Sequence, residues 1–410
     1  MTDKKTILLI GAGDFQLPLV QRAAERYQVA LAAPVIGPAF QPYLTHQLLT
    51  DVRNRDEILR FAREHNVCGV ITDQTDIPVR TVAYVAEQMG LPGIGYETSC
   101  LFTDKHLMRE KMRELNIPQL PNKTVMNPDE AEAFYDSIGG GEVIIKPLDT
   151  QGSRGVFHCS SAREMREKFF YASCWSSGGE VIVERFAKGR EFVVEGLAYN
   201  GEFRNLICGD TLYFDMPDAF AAKSRIFPTT ADDALAERVC RLNERIITGF
   251  GLKQGITHSE FIMDGDEVYL METAARGGGV FISSDLIHLS TGLAVEDFLL
   301  DIAEGICGGI PALLPQQSVC GYRACFVPAG TVRAVSGVEE VRSLPWVYRN
   351  QLDELVPGLT VKENTDKTSR IAMILKGADR GELEARMAQV QGMLNVEVET
   401  ESGIKGLIWS

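Results

Sequence analysis

Glu260, Glu272 and Arg276 fall within one short stretch, ITHSEFIMDGDEVYLMETAARGGG at 256–279. Two carboxylates beside a guanidinium suit a divalent metal and phosphate, since hard cations take oxygen ligands and guanidinium groups pair with oxyanions. ITHSEFIM and EVYLME are rich in β-branched and aromatic residues, and Asp264-Gly265-Asp266 is a turn signal, so the stretch reads as a hairpin. Register then decides the chemistry. A two-residue loop would put Glu260 and Glu272 on opposite faces, whereas a three-residue loop puts them on one face. Shared metal binding therefore predicts a turn of odd length; the alternative is a surface hairpin with solvated acids. His258 has the parity of Glu260, which makes it a candidate contact to metal-bound water or substrate, or else a structural histidine. The run Gly277–Gly279 removes side chains beside these groups, and its N–H groups could form an oxyanion site.

Cations precede this stretch. Lys105 lies near the start of a helix on an otherwise apolar stripe of Leu101, Met108, Met112 and Leu115. A lysine there opposes the helix dipole unless it faces an anion or snorkels to water. Lys146 ends the strand 143–146 and is followed by a loop of small residues, Thr150, Gly152, Ser153 and Gly155. Such a loop can bring backbone N–H groups against phosphate oxygens, although GxxxxGK[ST] is absent. Glu184 ends a strand, Ala187 lies in the connector and Glu191 begins the next strand. A connector of this kind can offer backbone groups to an adenine edge, and a carboxylate beside it can take ribose hydroxyls. Residues 211–230 read as a long interruption of the strand pattern, in which Lys223 and Arg225 could meet an anionic substrate.

These groups need a scaffold. Residues 6–97 alternate strand and helix, which predicts a parallel sheet with helices on both faces. Gly11-Ala12-Gly13 follows the first strand, but Gln16 replaces the third glycine of GxGxxG and Ala32-Ala33-Pro34 supplies no ribose acid, so a dinucleotide site is not expected. The expected organisation is an α/β domain at 1–97, a second domain at 98–317 with a small subdomain at about 120–190, and an α+β extension at 318–410. Helices are expected at 128–137, 161–172, 231–250, 292–304 and 379–393.

The chain has 410 residues, 45% of them hydrophobic and 24% charged, with a formal net charge of −15. That balance argues against a nucleic-acid partner, which needs a basic surface. The nine cysteines are scattered without a CxxC pair, so zinc is not expected and a reducing cytosol is. No signal peptide or membrane-spanning run is apparent, so a cytoplasmic location is expected.

In order along the chain stand TDK (103–105), VIIKP with QGSRGV (143–156), VERFAKGREF (183–192), HSEF (258–261) and METAARGGG (271–279). This ordered set resembles the ATP-grasp superfamily, and within it the carboxylate–amine ligases of the L-amino-acid-ligase and carbamoyl-phosphate-synthetase-like branch. The resemblance covers nearly the whole chain. It implies an ATP-grasp fold with an N-terminal pre-grasp parallel-sheet domain and a C-terminal α+β lid, with ATP and Mg²⁺ (or Mn²⁺) as cofactors. It implies that Lys105 and Lys146 hold ATP phosphates under the 151–156 loop. Glu184 and Ala187 would meet adenine through the connector backbone, and Glu191 would bind the ribose. Glu260 and Glu272 would hold the metal ions, and Arg276 would stabilise the transferring phosphoryl group or a substrate carboxylate. Ala274 stands where many members carry a metal-binding Asn, which leaves coordination to water or substrate.

The implied chemistry is attack of a carboxylate on the γ-phosphate, then attack of an amine on the acyl phosphate. Bicarbonate as acceptor and a non-catalytic ATP-binding module are the alternatives. Small-molecule carboxylate and amine substrates are the expected partners, and a homodimer is a family expectation. Specificity is expected from 211–230, from 276–283 and from the C-terminal cluster Thr365, Lys367, Ser369 and Arg370.

Overall fold

The computed structural model describes residues 4–150, 152–216, 220–315, 318–363 and 370–410. Gln151 of the expected phosphate loop and Thr365, Lys367 and Ser369 of the C-terminal cluster lie outside the described residues.

The N-terminal sheet is parallel, in the order His46–Leu49, Gln28–Ala33, Thr6–Ile10, Val70–Ile71. Its central strand is apolar at successive positions because both faces are covered. Ile7 and Leu9 pack with the helix Val295–Glu304, while Leu8 and Ile10 pack with Ile58 and Val85 of the helices Arg55–Glu64 and Val79–Met89. The turn after this strand is filled from within. Gln16 Nε2 donates to the Ile10 carbonyl (3.2 Å) and Thr72 (3.1 Å), and its Oε1 accepts from the Gly13 N–H (2.9 Å).

A small antiparallel sheet runs Asn122–Val125, Val181–Arg185, Val143–Pro147, Phe157–Cys159, backed by the helices Pro128–Ser137 and Ala162–Ser173. Opposite it lies an eight-stranded sheet in the order Glu267–Ala274, Gln254–Asp264, Arg190–Tyr199, Glu202–Tyr213, Ala222–Phe227, Val319–Phe326, Arg370–Gly377, Val347–Asn350. This sheet crosses the boundary expected at 317, so the C-terminal segment continues it by strand pairing. The remaining sheet is Thr360–Val361, Gly330–Ser336, Asn395–Thr400 and Gly403–Lys405.

The stretch 211–230 is not one long interruption. Glu202–Tyr213 and Ala222–Phe227 are antiparallel partners, and the polar-looking AKSRIF is buried inside the sheet at every position but Lys223. The stripe containing Lys105 is also broken. Tyr96–Leu101 and Lys105–Glu114 are separate helices, because Asp104 caps the second by accepting from His106 N (3.0 Å) and Leu107 N (3.2 Å). Among the described residues no helix is long and apolar enough to cross a membrane.

Candidate functional site

The opening hairpin departs from expectation in one respect and meets its purpose by another route. Asp264 pairs with Glu267, so the turn holds two residues, Gly265 and Asp266, and is not of odd length. Gly265 has φ 62°, as a tight hairpin turn requires. Pairing continues as far as Phe261↔Leu270, but the next pair is Glu260↔Glu272. Met271 is an extra residue, a β-bulge, and it restores the parity that the short turn would have spoiled. The two carboxylates therefore stand directly opposite one another and face one cavity of about 450 Å³.

That cavity lies between the small antiparallel sheet and the eight-stranded sheet. Ile144, Phe186, Ala187, Ile262 and Met271 form an apolar wall; Lys105, Lys146, Glu191, Glu260 and Glu272 supply the charge. An apolar slot with a few convergent polar groups is the usual form of a small-molecule site. Gly152 and Ser153 also line it, whereas Gly155 and Lys223 do not. Gly155 instead packs under Trp175 and Pro147, where a Cβ would lie 2.6 Å and 2.9 Å from their atoms.

Lys105, Lys146, Arg225 and Arg276 each already have an anion. Lys105 Nζ lies 3.1 Å from Glu272 Oε1 and donates to the Thr150 carbonyl (3.0 Å), which offsets the unfavourable dipole end. Arg225 pairs with Glu260 and places Nη1 2.7 Å from His258 Nε2. Burial alone would raise the Glu260 pKa, but Arg225 and His258 hold it well below the carboxylate range. Lys146 donates to Glu184 Oε2 (2.6 Å), and Arg109 Nε donates to Glu184 Oε1 (2.7 Å). Glu184 is 2% exposed and does not line the cavity. Burial opposes its ionisation, but Arg109 and Lys146 bring its pKa down to about 2. Its carboxylate thus fixes Lys146 from behind.

Glu191 is enclosed differently. Burial pushes its pKa up to about 7, against the Tyr213 hydroxyl that donates to Oε2 at 2.7 Å. His258 is buried, and Glu195, its cross-strand neighbour, bonds Nδ1. Burial lowers the imidazole pKa, but Glu195 and Glu260 together raise it.

Arg276 is aimed by the N-terminal domain. Its Nε and Nη2 each donate to Asp76 at 2.8 Å, a bidentate pair, and Arg276 faces the cavity. The glycines beside it serve packing. A Cβ on Gly277 would lie 2.2 Å from Ser283 Oγ, and one on Gly278 2.6 Å from Glu195 Oε1. Their amides are not open for an oxyanion, contrary to expectation. Gly277 N donates to Asp73 Oδ1 (2.8 Å) and Gly278 N to Glu195 Oε2 (2.9 Å). The chain then turns through Val280 and Phe281, both at φ 57°, a region costly for a β-branched residue. Gln74 holds that turn by accepting from Phe281 N at 3.0 Å.

Several of these partners carry no motif. Glu195 is a fully buried acid inside the apolar strand FVVEGLAY, and that placement is its one sequence signal. Asp73, Gln74 and Asp76 follow a parallel strand at its carboxyl end, where ligands of open α/β sheets gather. Among the described residues no three His, Cys, Asp or Glu side chains form a metal cluster. Two opposed carboxylates fit a hard cation whose other ligands are phosphate oxygens and water.

Residues 140–285 match the ATP-grasp domain family, and residues 323–399 match the L-amino acid ligase C-terminal domain 2. The chain is 24% identical over 269 residues to the alanine–anticapsin ligase of Bacillus subtilis (strain 168), covering 60% of this chain and 55% of the relative. It is 26% identical over 288 residues to the cyanophycin synthetase of Crocosphaera subtropica, covering 68% of this chain and 31% of the relative. The matched stretch thus spans less than two thirds of either relative's length. The fold is that of the L-amino acid ligase from Bacillus licheniformis, with a TM-score of 0.82 at 18% identity over 98% of this chain and 100% of that one.

Proposed function

From a chain that carries an ATP-grasp domain and an L-amino acid ligase C-terminal domain, we propose an ATP-dependent carboxylate–amine ligase. The observation that carries the reading is the Glu260↔Glu272 pair, set by the Met271 bulge into a cavity that also receives Lys105, Lys146 and Glu191. A non-catalytic module has no need of two opposed carboxylates beside an aimed guanidinium.

The residues divide the work. Lys105 and Lys146 neutralise phosphate charge, with Glu184 and Arg109 fixing the second lysine. Gly152 and Ser153 cover the phosphates, and Ala187 lies beside the adenine edge. Glu191, once ionised, accepts from the ribose hydroxyls. Glu260 and Glu272 would hold Mg²⁺, releasing Arg225 and Lys105 from their present pairing; bound there, the metal supplies charge neutralisation for the phosphates.

A substrate carboxylate oxygen attacks the γ-phosphorus, the bond to the β-phosphate oxygen breaks, and ADP leaves. Arg276, held by Asp76, stabilises the charge on the phosphoryl group in flight. The amine nitrogen then attacks the acyl carbon, phosphate departs with the bonding pair, and the nitrogen loses a proton as the amide forms. His258, which lines the cavity and is oriented by Glu195, is the group assigned to relay that proton. The test is ADP release from the purified chain with ATP, Mg²⁺ and libraries of acids and amines. Release that needs both an acid and an amine supports the reading, and release that needs neither opposes it.

A further inference from the structure

At the end of the cavity formed by the C-terminal segment, Arg370 opens the strand Arg370–Gly377 and faces the same space as Tyr322 and Arg225. Arg225 and Tyr322 are direct cross-strand partners. Arg370 makes no hydrogen bond or ion pair with any described residue. That is unexpected in a chain with 56 acidic residues against 41 basic ones. The cavity's acids are committed elsewhere: Asp76 to Arg276, Glu260 to Arg225 and Glu272 to Lys105, while Glu191 takes the Tyr213 hydroxyl.

A second observation concerns Arg225. It is 9% exposed, and its Nη atoms serve His258 and Glu260, but its Nε is buried with no partner among the described residues. An unused buried donor beside a second guanidinium that has no partner among the described residues is a costly arrangement without an anion. Burial and the charge of Arg225 both lower the Arg370 pKa, which states the same conflict in another form. An oxyanion shared between the two guanidiniums would resolve it. Glu260 touches Arg225, so this place lies beside the reacting centre.

We propose that Arg370 and Arg225 form an anion subsite for a substrate carboxylate other than the one that is activated. Resting on the ligase reading, this assigns the substrate class: the acid is dicarboxylic, or the amine is an amino acid with a free carboxylate. Tyr322 is the cross-strand neighbour of Arg225 and lines the same cavity as both guanidiniums.

The experiment compares probes that differ by one charge. Succinate, glutarate, L-aspartate and L-glutamate are each titrated into the full chain with MgADP against their monoamides, and L-alanine against L-alaninamide. ADP release with MgATP is measured in parallel. The expected result is at least a tenfold preference for the charged member of one or more pairs. Arg370→Gln should reduce that preference to within about twofold without changing ATP affinity, and Arg370→Lys should restore part of it. Preference among the diacids assigns the subsite to the acid, and preference for L-alanine assigns it to the amine. Equal binding of every pair by the wild-type chain would overturn the proposal. So would an Arg370→Gln variant that loses ATP affinity, since Arg370 would then serve the nucleotide. Charge-dependent binding without ADP release would leave the subsite standing and sink the ligase reading; equal ADP release from both members of every pair would do the reverse.

Discussion

Replacing Glu184 by Gln should destabilise the protein and loosen Lys146 together. The carboxylate is 2% exposed and accepts from Lys146 Nζ at 2.6 Å and Arg109 Nε at 2.7 Å. Those cations bring its pKa from 4.5 down to about 2. At about 1.4 kcal/mol per unit, that depression corresponds to roughly 3 kcal/mol of stability. Breaking a buried pair from one side costs about 3–5 kcal/mol, so two routes give the same size. The sign follows from a depressed folded-state pKa. The stabilisation is complete above pH 4.5 and is lost as pH falls through about 2. Urea unfolding at pH 7 should therefore show Glu184→Gln less stable by about 3 kcal/mol, with the gap narrowing as the buffer is acidified below 4.5. ATP binding should weaken about tenfold or more, because Lys146 loses the partner that aims it. A variant within about 0.5 kcal/mol of wild type at pH 7, as a surface substitution would be, refutes the argument.

Other predictions rest on separate contacts. Gly278→Ala places a Cβ 2.6 Å from Glu195 Oε1 and 2.9 Å from His258 Nδ1, so it should cost about 1–3 kcal/mol in unfolding free energy and reduce ADP release; wild-type behaviour in both would show that the cradle relaxes freely. Glu191 has a pKa near 7, so ATP affinity should rise with pH through that value as the carboxylate ionises. Comparison with Glu191→Gln separates this from titration of the nucleotide itself, and parallel pH profiles would remove Glu191 from the ribose. Asp76→Asn should lower kcat about 10- to 100-fold with little change in ATP affinity, since it disturbs the aim of Arg276 and not the nucleotide slot; a change in ATP affinity alone would reassign Arg276.

Much of the site is legible in the sequence because its residues stand at strand ends and helix starts. Lys105, Lys146, Glu191, Glu260, Glu272 and Arg276 all meet in one cavity. The hairpin shows where such reading stops. The Asp264-Gly265-Asp266 signal places the turn but not its length, and the bulge at Met271 is not visible, because Val268–Met271 is an unbroken apolar run. Glu184 looks like any acid at a strand end until the fold brings Arg109 against it from a distant helix. The strand Ala222–Phe227 is hidden by its lysine and arginine, and Arg225 is buried against Tyr322 from the C-terminal segment. Glu195 and Asp73 carry no local signal for their partners, since Gly277 and Gly278 reach them only through tertiary packing.

The central claim is that Glu260 and Glu272 together support phosphoryl transfer to a carboxylate. Its most direct test is ADP release by the purified chain, with Mg²⁺, acid and amine but no bicarbonate, in wild type and in Glu272→Gln. The account predicts release that depends on both substrates and falls by about 10²–10³-fold or more in the variant, whose nucleotide binding persists through Lys105 and Lys146. Undiminished release in Glu272→Gln, or an absolute need for bicarbonate, would contradict it.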